Sequence, residues 1–284
     1  MASARDLRRR IGSVKNTQQI TKAMKMVAAA RLRRAQDAIV RARPYAAAIK
    51  GMVANISGIQ GVEELHPLLR AREVKRAVVV LITSDRGLCG GFNSNLIKRA
   101  EALYRAEKDK VSFVTIGKRG YDYLRGRQIP VQKNYTDFFK SVSYAKVQAV
   151  SDELIEGFLS GEYDEVRVVF SEFRSAISQI PQTVSLLPIR FPQEAGKSST
   201  EFLFEPDKRS VLADILPRYF RAKIYKAVLE SQASEFGARM AAMDSATKNA
   251  GEMIRKLSLE YNKQRQAGIT KELLEIVSGA EALK

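Results

Sequence analysis

The sequence holds little of the chemistry on which most enzymes depend. It has no tryptophan, a single cysteine, Cys89, and a single histidine, His66. A cysteine nucleophile needs a base, but His66 precedes Pro67 in a predicted linker, so we expect no catalytic Cys–His pair. One histidine and one cysteine do not make a zinc site either, and the carboxylates form no obvious close pair. We therefore expect no catalytic residues, no metal and no cofactor.

Two further absences concern membranes and redox chemistry. The longest apolar run, Ala77–Ile82, is far shorter than the roughly 18 to 20 residues that a membrane span needs. The first residues carry charge in place of the apolar core of a signal peptide, and Asp6 disfavours a transit peptide. A single cysteine excludes an internal disulfide, which favours a reducing compartment such as the cytoplasm.

Positive charge, by contrast, is abundant and lies at the two ends of the sequence. There are 48 lysines and arginines against 31 acidic residues, a net charge of +17. Residues 1–50 hold 13 basic and 2 acidic residues, and residues 208–284 hold 14 and 9. Such an excess of positive charge predicts an acidic partner of one of three kinds: nucleic acid, an anionic membrane or an acidic protein surface. No aromatic residues interleave with the arginines, yet a basic coiled coil that binds nucleic acid stays one alternative.

Each end is predicted to form one long helix. In residues 1–57, apolar or small residues recur at alternating steps of three and four, which is the pattern of a coiled-coil seam. These seam positions are Leu7, Ile11, Val14, Thr21, Met24, Ala28, Leu32, Ala35, Ile39, Ala42, Ala46, Ile49, Val53 and Ile56, with Gln18 filling the one polar gap. Pro44 interrupts the pattern and is expected to bend the helix rather than end it.

A matching pattern fills residues 207–284. Its steps of three and four run through Met240, Met243, Thr247, Ala250, Ile254, Leu257 and Tyr261. The next seam positions are Gln264, Gly268 and Lys271, so the pairing surface is predicted to fade before an apolar tip. Neither helix is stable alone at this polarity, so we expect the two to wind around each other in antiparallel fashion.

Residues 74–206 have a pattern typical of an α/β domain. The predicted strands are Ala77–Thr83, Val111–Ile116, Glu165–Phe170, Gln182–Leu187 and Glu201–Phe204, and the predicted helices are Asn93–Glu107, one from Lys118, and Tyr144–Leu159. Alternating strands and helices indicate a mostly parallel, Rossmann-like sheet. The predicted fold class is therefore α/β with a long antiparallel two-helix coiled coil, in three segments: 1–57, 74–206 and 207–284.

The loop after the first strand is rich in glycine. Gly87, Gly90 and Gly91 lie between a strand and a helix, where a loop can bind phosphate. Their spacing fits neither common phosphate-binding motif, which favours a tight turn capped by Asn93 or Ser94. A nucleotide-dependent enzyme that uses this loop stays a second alternative.

Several segments, taken in their order along the chain, resemble the gamma subunits of F-type ATP synthases. They are residues 10–27 (RIGSVKNTQQITKAMKMV), 83–95 (TSDRGLCGGFNSN), 238–250 (ARMAAMDSATKNA), 261–272 (YNKQRQAGITKE) and 275–280 (EIVSGA). The resemblance implies a central-stalk rotor inside a ring of three alpha and three beta subunits, standing with the epsilon subunit on the membrane-embedded c-ring. It implies that c-ring rotation is coupled to ATP synthesis or hydrolysis at the beta subunits, and that this chain is not itself catalytic.

The same resemblance implies a location and a set of partners. It places the chain at the cytoplasmic face of a bacterial inner membrane, as a peripheral subunit that reaches the membrane only through the membrane sector. It implies alpha, beta, epsilon and c-ring partners and no nucleic acid. The cysteine-bearing insertion of chloroplast relatives is absent, which favours a bacterial source or a mitochondrial one with its transit peptide removed.

The resemblance also assigns roles to individual residues. Arg239 and Gln266 match family residues that hydrogen-bond a beta-subunit loop, and Arg265 and Thr270 lie beside Gln266 in the same region. Met24 matches a methionine packed near the beta subunit, where an added charge forms wrong contacts. Phe202 and Glu205 bound a segment near the epsilon subunit and the c-ring. Lys25 and Lys271 depart from relatives that often carry Glu and Gln there, so charge pairing is expected to differ locally.

Overall fold

Two long helices dominate the described chain. The structure, a computed structural model, describes residues 4–56, 62–191, 205 and 207–281. Helix α1 spans Ala4–Ile56 and helix α6 spans Lys208–Glu281. The chain divides into two compact units: the helical unit, made of Met1–Ala28 and Met240–Lys284, and the sheet unit, Ala29–Arg239. Both long helices contribute to both units, and the three-segment division at 57, 74 and 206 stays a prediction.

The helical unit is an antiparallel pair of helical segments. Lys25 pairs with Asp244 and Thr21 with Thr247, so residue numbers rise along one segment as they fall along the other. The predicted seam positions are buried at Leu7, Thr21, Ala28, Met243 and Ala250. Beyond Gln264 every described side chain of α6 is exposed. These observations confirm both the antiparallel pairing and the fading of the seam.

The sheet unit contains a five-stranded sheet among its described residues. Its strands are β1 (Ala77–Ile82), β2 (Val111–Ile116), β3 (Val131–Tyr135), β4 (Glu165–Phe173) and β5 (Gln179–Leu187), in the order β3-β2-β1-β4-β5. The first four are parallel, and β5 runs antiparallel to β4. The remaining helices are α2 (Val62–Leu65), α3 (Phe92–Ala106), α4 (Lys118–Gly126) and α5 (Tyr144–Leu159). The mostly parallel α/β sheet is confirmed.

The central strand explains why the core has two halves. All six residues of β1 are buried, because helices cover both faces of a parallel sheet. Val78, Val80 and Ile82 face a cluster that includes residues of α1, α5 and α6. Val79 and Leu81 face the opposite cluster, built with α3, α4 and β2. Alternate residues of one strand thus fix helices on opposite faces of the sheet.

Three details differ from the sequence prediction. Strand β3 (Val131–Tyr135) was not predicted, because it is an edge strand of largely polar residues without an apolar alternation. Strands β4 and β5 each extend three residues further than predicted, since they pair with each other in a hairpin. Helix α3 begins at Phe92 with Gly91 as its N-cap, so the predicted caps Asn93 and Ser94 were wrong. The predicted strand Glu201–Phe204 lies outside the described residues.

Both prolines within the long helices leave them continuous. Pro44 lies inside α1 and Pro217 inside α6. A proline removes one backbone hydrogen bond and clashes with the preceding turn, which bends a helix that tertiary packing holds in place. Such packing is present here, because Ile49 and Val53 of α1 and Leu216 and Phe220 of α6 belong to the core of the sheet unit. The expectation that Pro44 does not end the first helix is confirmed.

Candidate partner-binding surfaces

Arg239 is held inside the sheet unit by partners from its own chain. Its guanidinium forms a short ion pair with Glu235, one turn earlier on α6, and only 12% of its side chain is exposed. Its Nη2 atom donates to the carbonyl oxygens of Gly87 at 3.1 Å and Arg86 at 3.5 Å. Arg239 therefore ties helix α6 to the glycine-rich loop.

The carboxylate opposite Arg239 is buried almost completely. Glu235 is 4% exposed. Burial raises the pKa of Glu235, and the attraction of Arg239 opposes that rise. A carboxylate in such a place depends on its counter-ion, because an uncompensated buried charge costs several kcal/mol. The pair is therefore a fixed structural element next to the loop.

The glycine-rich loop (residues 83–91) is bonded to its own chain. The Asn93 side chain accepts from the backbone N–H of Ser84 at 3.0 Å, and Asp85 accepts from the backbone N–H groups of Lys118 and Asp137. Leu88 has a left-handed φ of 62° and its side chain is 65% exposed. The geometry fits the predicted tight turn, and the turn presents an apolar side chain outward.

The single cysteine and the single histidine have structural surroundings. Cys89 is 2% exposed, and the Asn93 Nδ2 atom lies 3.2 Å from its sulfur. Burial raises the pKa of the Cys89 thiol, which disfavours the nucleophilic thiolate. His66 accepts from the backbone N–H of Leu68 at 3.2 Å and so caps a short 3₁₀ helix. Among the described residues, no group of three or more His, Cys, Asp or Glu side chains has metal-binding geometry.

The end of α6 is a second candidate surface. Arg265, Gln266 and Thr270 are all exposed. Large apolar side chains surround them and are half or more exposed: Ile269, Leu273, Leu274, Ile276 and Val277. Contiguous exposed apolar residues on a helix mark a surface that is covered by a partner. We refer to residues 265–277 as the helical tip.

Met24 lies half-buried in the seam of the helical unit, beside a polar cluster. Asp244 accepts from Lys25 at 2.6 Å and from Lys248 at 2.9 Å. The Thr247 hydroxyl lies 2.8 Å from that of Thr21, so a second polar contact joins the two segments one turn away. Lys25, which departs from the family pattern, thus has a partner within its own chain.

Exchanging charges across this contact should separate its electrostatic role from simple loss of a side chain. Lys25→Asp places two carboxylates together and is expected to lower the melting temperature. Adding Asp244→Lys is expected to restore part of the loss, because the exchanged pair re-forms while Lys248 loses its own carboxylate. Hydrogen bonds from Lys25 and Lys248 lower the pKa of Asp244. A lowered carboxyl pKa contributes stability that is lost as pH falls through the folded value, so the difference should shrink in acid. Calorimetry at pH 7 and pH 3 measures the melting temperatures. If the double variant melts no higher than Lys25→Asp, the ion pair between positions 25 and 244 is contradicted.

The remaining predicted contact residues lie elsewhere. Glu205 is exposed, and Phe202 lies outside the described residues. Arg239 belongs to the sheet unit, whereas Met24, Arg265, Gln266 and Thr270 belong to the helical unit. Only Arg265, Gln266 and Thr270 share one short stretch of helix. The sequence missed Glu235 as the partner of Arg239, although their spacing of four on a helix is a known pairing signal.

Comparison with known proteins identifies the family. The family model described as ATP synthase matches residues 3–283. The "ATP synthase gamma chain" of Anaeromyxobacter sp. (strain Fw109-5) is 51% identical over 290 residues, with 100% of both chains covered. The alternatives of a nucleic-acid-binding protein and a nucleotide-dependent enzyme gain no support from these matches.

Solved structures match as well. A chain of the central stalk and c-ring of Tetrahymena thermophila mitochondrial ATP synthase is 25% identical, with a TM-score of 0.60 and coverage of 80% of this chain and 99% of that one. A rotor chain of Euglena gracilis mitochondrial ATP synthase has the same fold at 20% identity, with a TM-score of 0.67 and coverage of 94% and 98%. The chain therefore belongs to the ATP synthase family, as one of its gamma chains, the rotor subunits of the central stalk.

Proposed function

We propose that the chain passes rotation of a c-ring to the beta subunits of the synthase through the helical tip, and that it has no catalytic site of its own. The observation that carries this proposal is the tip itself. Its residues lie on the part of α6 that no longer packs against another segment of the described chain, and Ile269, Leu273 and Leu274 are half exposed or more. Exposed apolar side chains of this kind mark a binding surface, which we assign to the surrounding alpha and beta subunits.

Rotation changes the beta subunits only if different faces of the rotor bind their states differently. A partner shifts a conformational equilibrium by its differential affinity for the two states and by no more. The tip offers unlike faces, because Gln266, Leu273 and Val277 lie on one side of the helix, whereas the ion pair of Lys271 with Glu275 lies on the other. As the helix turns, each beta subunit meets polar and apolar contacts in alternation. That alternation is the basis of the coupling that we propose.

ATP chemistry then belongs to the beta subunits. The support from this chain is that its two best candidates for nucleophile and base have other surroundings. Cys89 is buried with a raised thiol pKa, and His66 caps a short helix. The glycine-rich loop is bonded to Asn93 and Asp85 of its own chain. We therefore assign the chain a mechanical role within the enzyme.

The other proposed partners are the epsilon subunit and the c-ring, contacted near Phe202 and Glu205. None of the helices in the described part of the chain has the length and apolarity of a membrane span. We propose that the chain is peripheral, held at the cytoplasmic face of a bacterial inner membrane by the proton-translocating membrane sector. The excess of basic residues in the two terminal helices favours acidic surfaces on the beta subunits.

Removing the polar contacts of the tip tests the proposal. Gln266→Ala with Thr270→Ala in the complex with alpha and beta subunits is expected to lower ATP turnover about thirtyfold, since two lost hydrogen bonds cost on the order of 1 kcal/mol each. Assembly should be unchanged, because the apolar residues of the tip remain. ATPase rate and complex mass are measured together.

A matched control is Gln19→Ala, which removes an exposed glutamine from the outer face of α1. It should leave turnover and assembly unchanged. If the double variant assembled and turned over as the control does, the two tip residues would be passive rotor surface. If less complex assembled but the assembled complex turned over normally, Gln266 and Thr270 would contribute to binding of the alpha and beta subunits and not to turnover.

A further inference from the structure

A groove that the rotor role does not use lies within the sheet unit. It runs between residues 39–50 of α1 and residues 219–230 of α6, with Phe173 of β4 in its wall. Its volume is about 470 Å³. Sites for small organic ligands usually measure about 300 to 1,000 Å³. The groove therefore has the size of a small-molecule site.

Small side chains on the facing helices create the groove. Ala42, Ala46 and Ala47 of α1 line it together with Ala222 of α6, and Ile39 and Leu229 add apolar surface. Helices that meet through larger residues fill the space between them by interdigitation. Alanines leave that space open, so the groove has an apolar floor between two helical walls. A ligand with an apolar body fits such a floor.

Charge around the groove is strongly unbalanced. Its lining includes four cations, Arg43, Lys50, Lys223 and Lys226, and a single carboxylate, Glu230. Glu230 already lies 3.5 Å from the Lys226 ammonium. The groove therefore keeps an excess of positive charge that an anionic ligand neutralises.

Lys223 is the cation best placed for a ligand. It is half-buried, and no carboxylate of the described residues forms an ion pair with it. Its ammonium lies 5.2 Å from the centre of the Tyr219 ring. Burial, together with the nearby Lys226, lowers the pKa of Lys223. An anion bound beside this ammonium supplies the negative charge that the protein does not.

Tyrosines give one end of the groove flat surfaces. Tyr45 and Tyr225 line it, and Tyr144 stands edge-on to both rings, at 6.5 Å and 5.6 Å between centroids. Tyr45 is 46% exposed although it takes part in this cluster. Aromatic faces of this kind favour a planar apolar partner.

We propose that this groove binds a small organic anion with a flat apolar body, its anionic group at Lys223 and its ring near Tyr45 and Tyr225. The two helical walls and the small volume favour a small molecule over a partner polypeptide. The site does not involve the helical tip, so it stands independently of the rotor mechanism.

Two fluorescent probes of similar shape test the proposal on the full-length chain. 8-Anilinonaphthalene-1-sulfonate carries the anionic group, and N-phenyl-1-naphthylamine has the same rings without it. The sulfonate is expected to bind at least tenfold more tightly than the uncharged amine. Lys223→Met should weaken sulfonate binding at least tenfold and leave the amine unchanged. Ala46→Leu should weaken both, because the added side chain fills the floor.

Lys98→Met, which removes an exposed lysine from α3, is the control and should change neither affinity. All three substitutions lie outside the helical tip, so they do not change the binding of probe there. The affinity of the groove for each probe is therefore obtained from the differences in binding between variants. Equal affinities for the two probes, or full sulfonate binding by Lys223→Met, would overturn the proposal. Loss of the Lys223-dependent probe fluorescence on assembly with alpha and beta subunits would also overturn the proposal, because the groove would then be a contact with a protein partner.

Discussion

Replacing Arg239 with alanine is expected to lower the free energy of unfolding of the sheet unit by about 3 to 5 kcal/mol, the usual cost of leaving a buried charge unpaired. The reason is Glu235, which is 4% exposed and loses its counter-ion. The carbonyl oxygens of Arg86 and Gly87 lose a donor as well. Urea unfolding followed by circular dichroism measures the change.

The loss should depend on pH in a defined direction. Burial raises the pKa of Glu235 above its unfolded value, so the folded state binds the proton more tightly. Stability from this group is present at low pH and falls as pH rises through the interval between the unfolded and folded pKa values. Without Arg239 the pKa rises further. The free energy of unfolding of Arg239→Ala should therefore be closest to that of the parent chain in acid and furthest from it at neutral pH.

Glu235→Gln supplies the control, since a neutral amide needs no counter-ion. Arg239→Ala combined with Glu235→Gln is expected to recover most of the stability that Arg239→Ala loses. Equal losses in the single and double variants would mean that the guanidinium stabilises the loop through its carbonyl contacts and that the ion pair matters little. Because Arg239 has this structural role, a turnover defect of Arg239→Ala does not by itself identify a beta-subunit contact.

Gly117→Ala is expected to destabilise the sheet unit by about 2 to 5 kcal/mol, from overpacking together with backbone strain. Gly117 has a φ of 102°, and a Cβ at this position overlaps the backbone carbonyl of Thr83. Backbone atoms cannot rotate away as a long side chain does. The end of β1, from which the glycine-rich loop departs, must therefore shift.

Gly126→Ala is the matched control, nine residues later in the same segment. It lies in α4 with open space around the position of its Cβ. Alanine there should be neutral or stabilise by roughly 0.5 to 1 kcal/mol, because it reduces the freedom of the unfolded chain. Urea midpoints of the two variants are compared. If Gly117→Ala matched Gly126→Ala in stability, the close approach to Thr83 would be wrong.

Periodicity in the sequence predicted the long helices well because burial follows it directly. Leu32, Ala35, Ile49 and Val53 of the first seam are buried as predicted. The loss of seam residues after Tyr261 likewise predicted where α6 becomes exposed. Long, regular patterns of this kind determine which face of a helix packs, so little tertiary information was needed.

Other features depend on contacts that no local pattern encodes. Edge strand β3 has only one neighbour and polar residues, so its pairing with β2 defines it. The contact of Lys25 with Asp244 depends on the register between two segments over 200 residues apart. The groove beside Lys223 is lined by alanines from distant parts of the sequence. Sequence spacing alone cannot place such residues together.

The measurement that tests the rotor role most directly is rotation of a single complex. Beta subunits are fixed to a surface, and a bead is attached to the chain through Lys98→Cys, an exposed position of α3; the native Cys89 is buried. During ATP hydrolysis the bead should rotate continuously in one direction, and rotation should slow in proportion to turnover when Gln266 and Thr270 are replaced. A complex that hydrolyses ATP at its full rate while the bead stays still would contradict the rotor role.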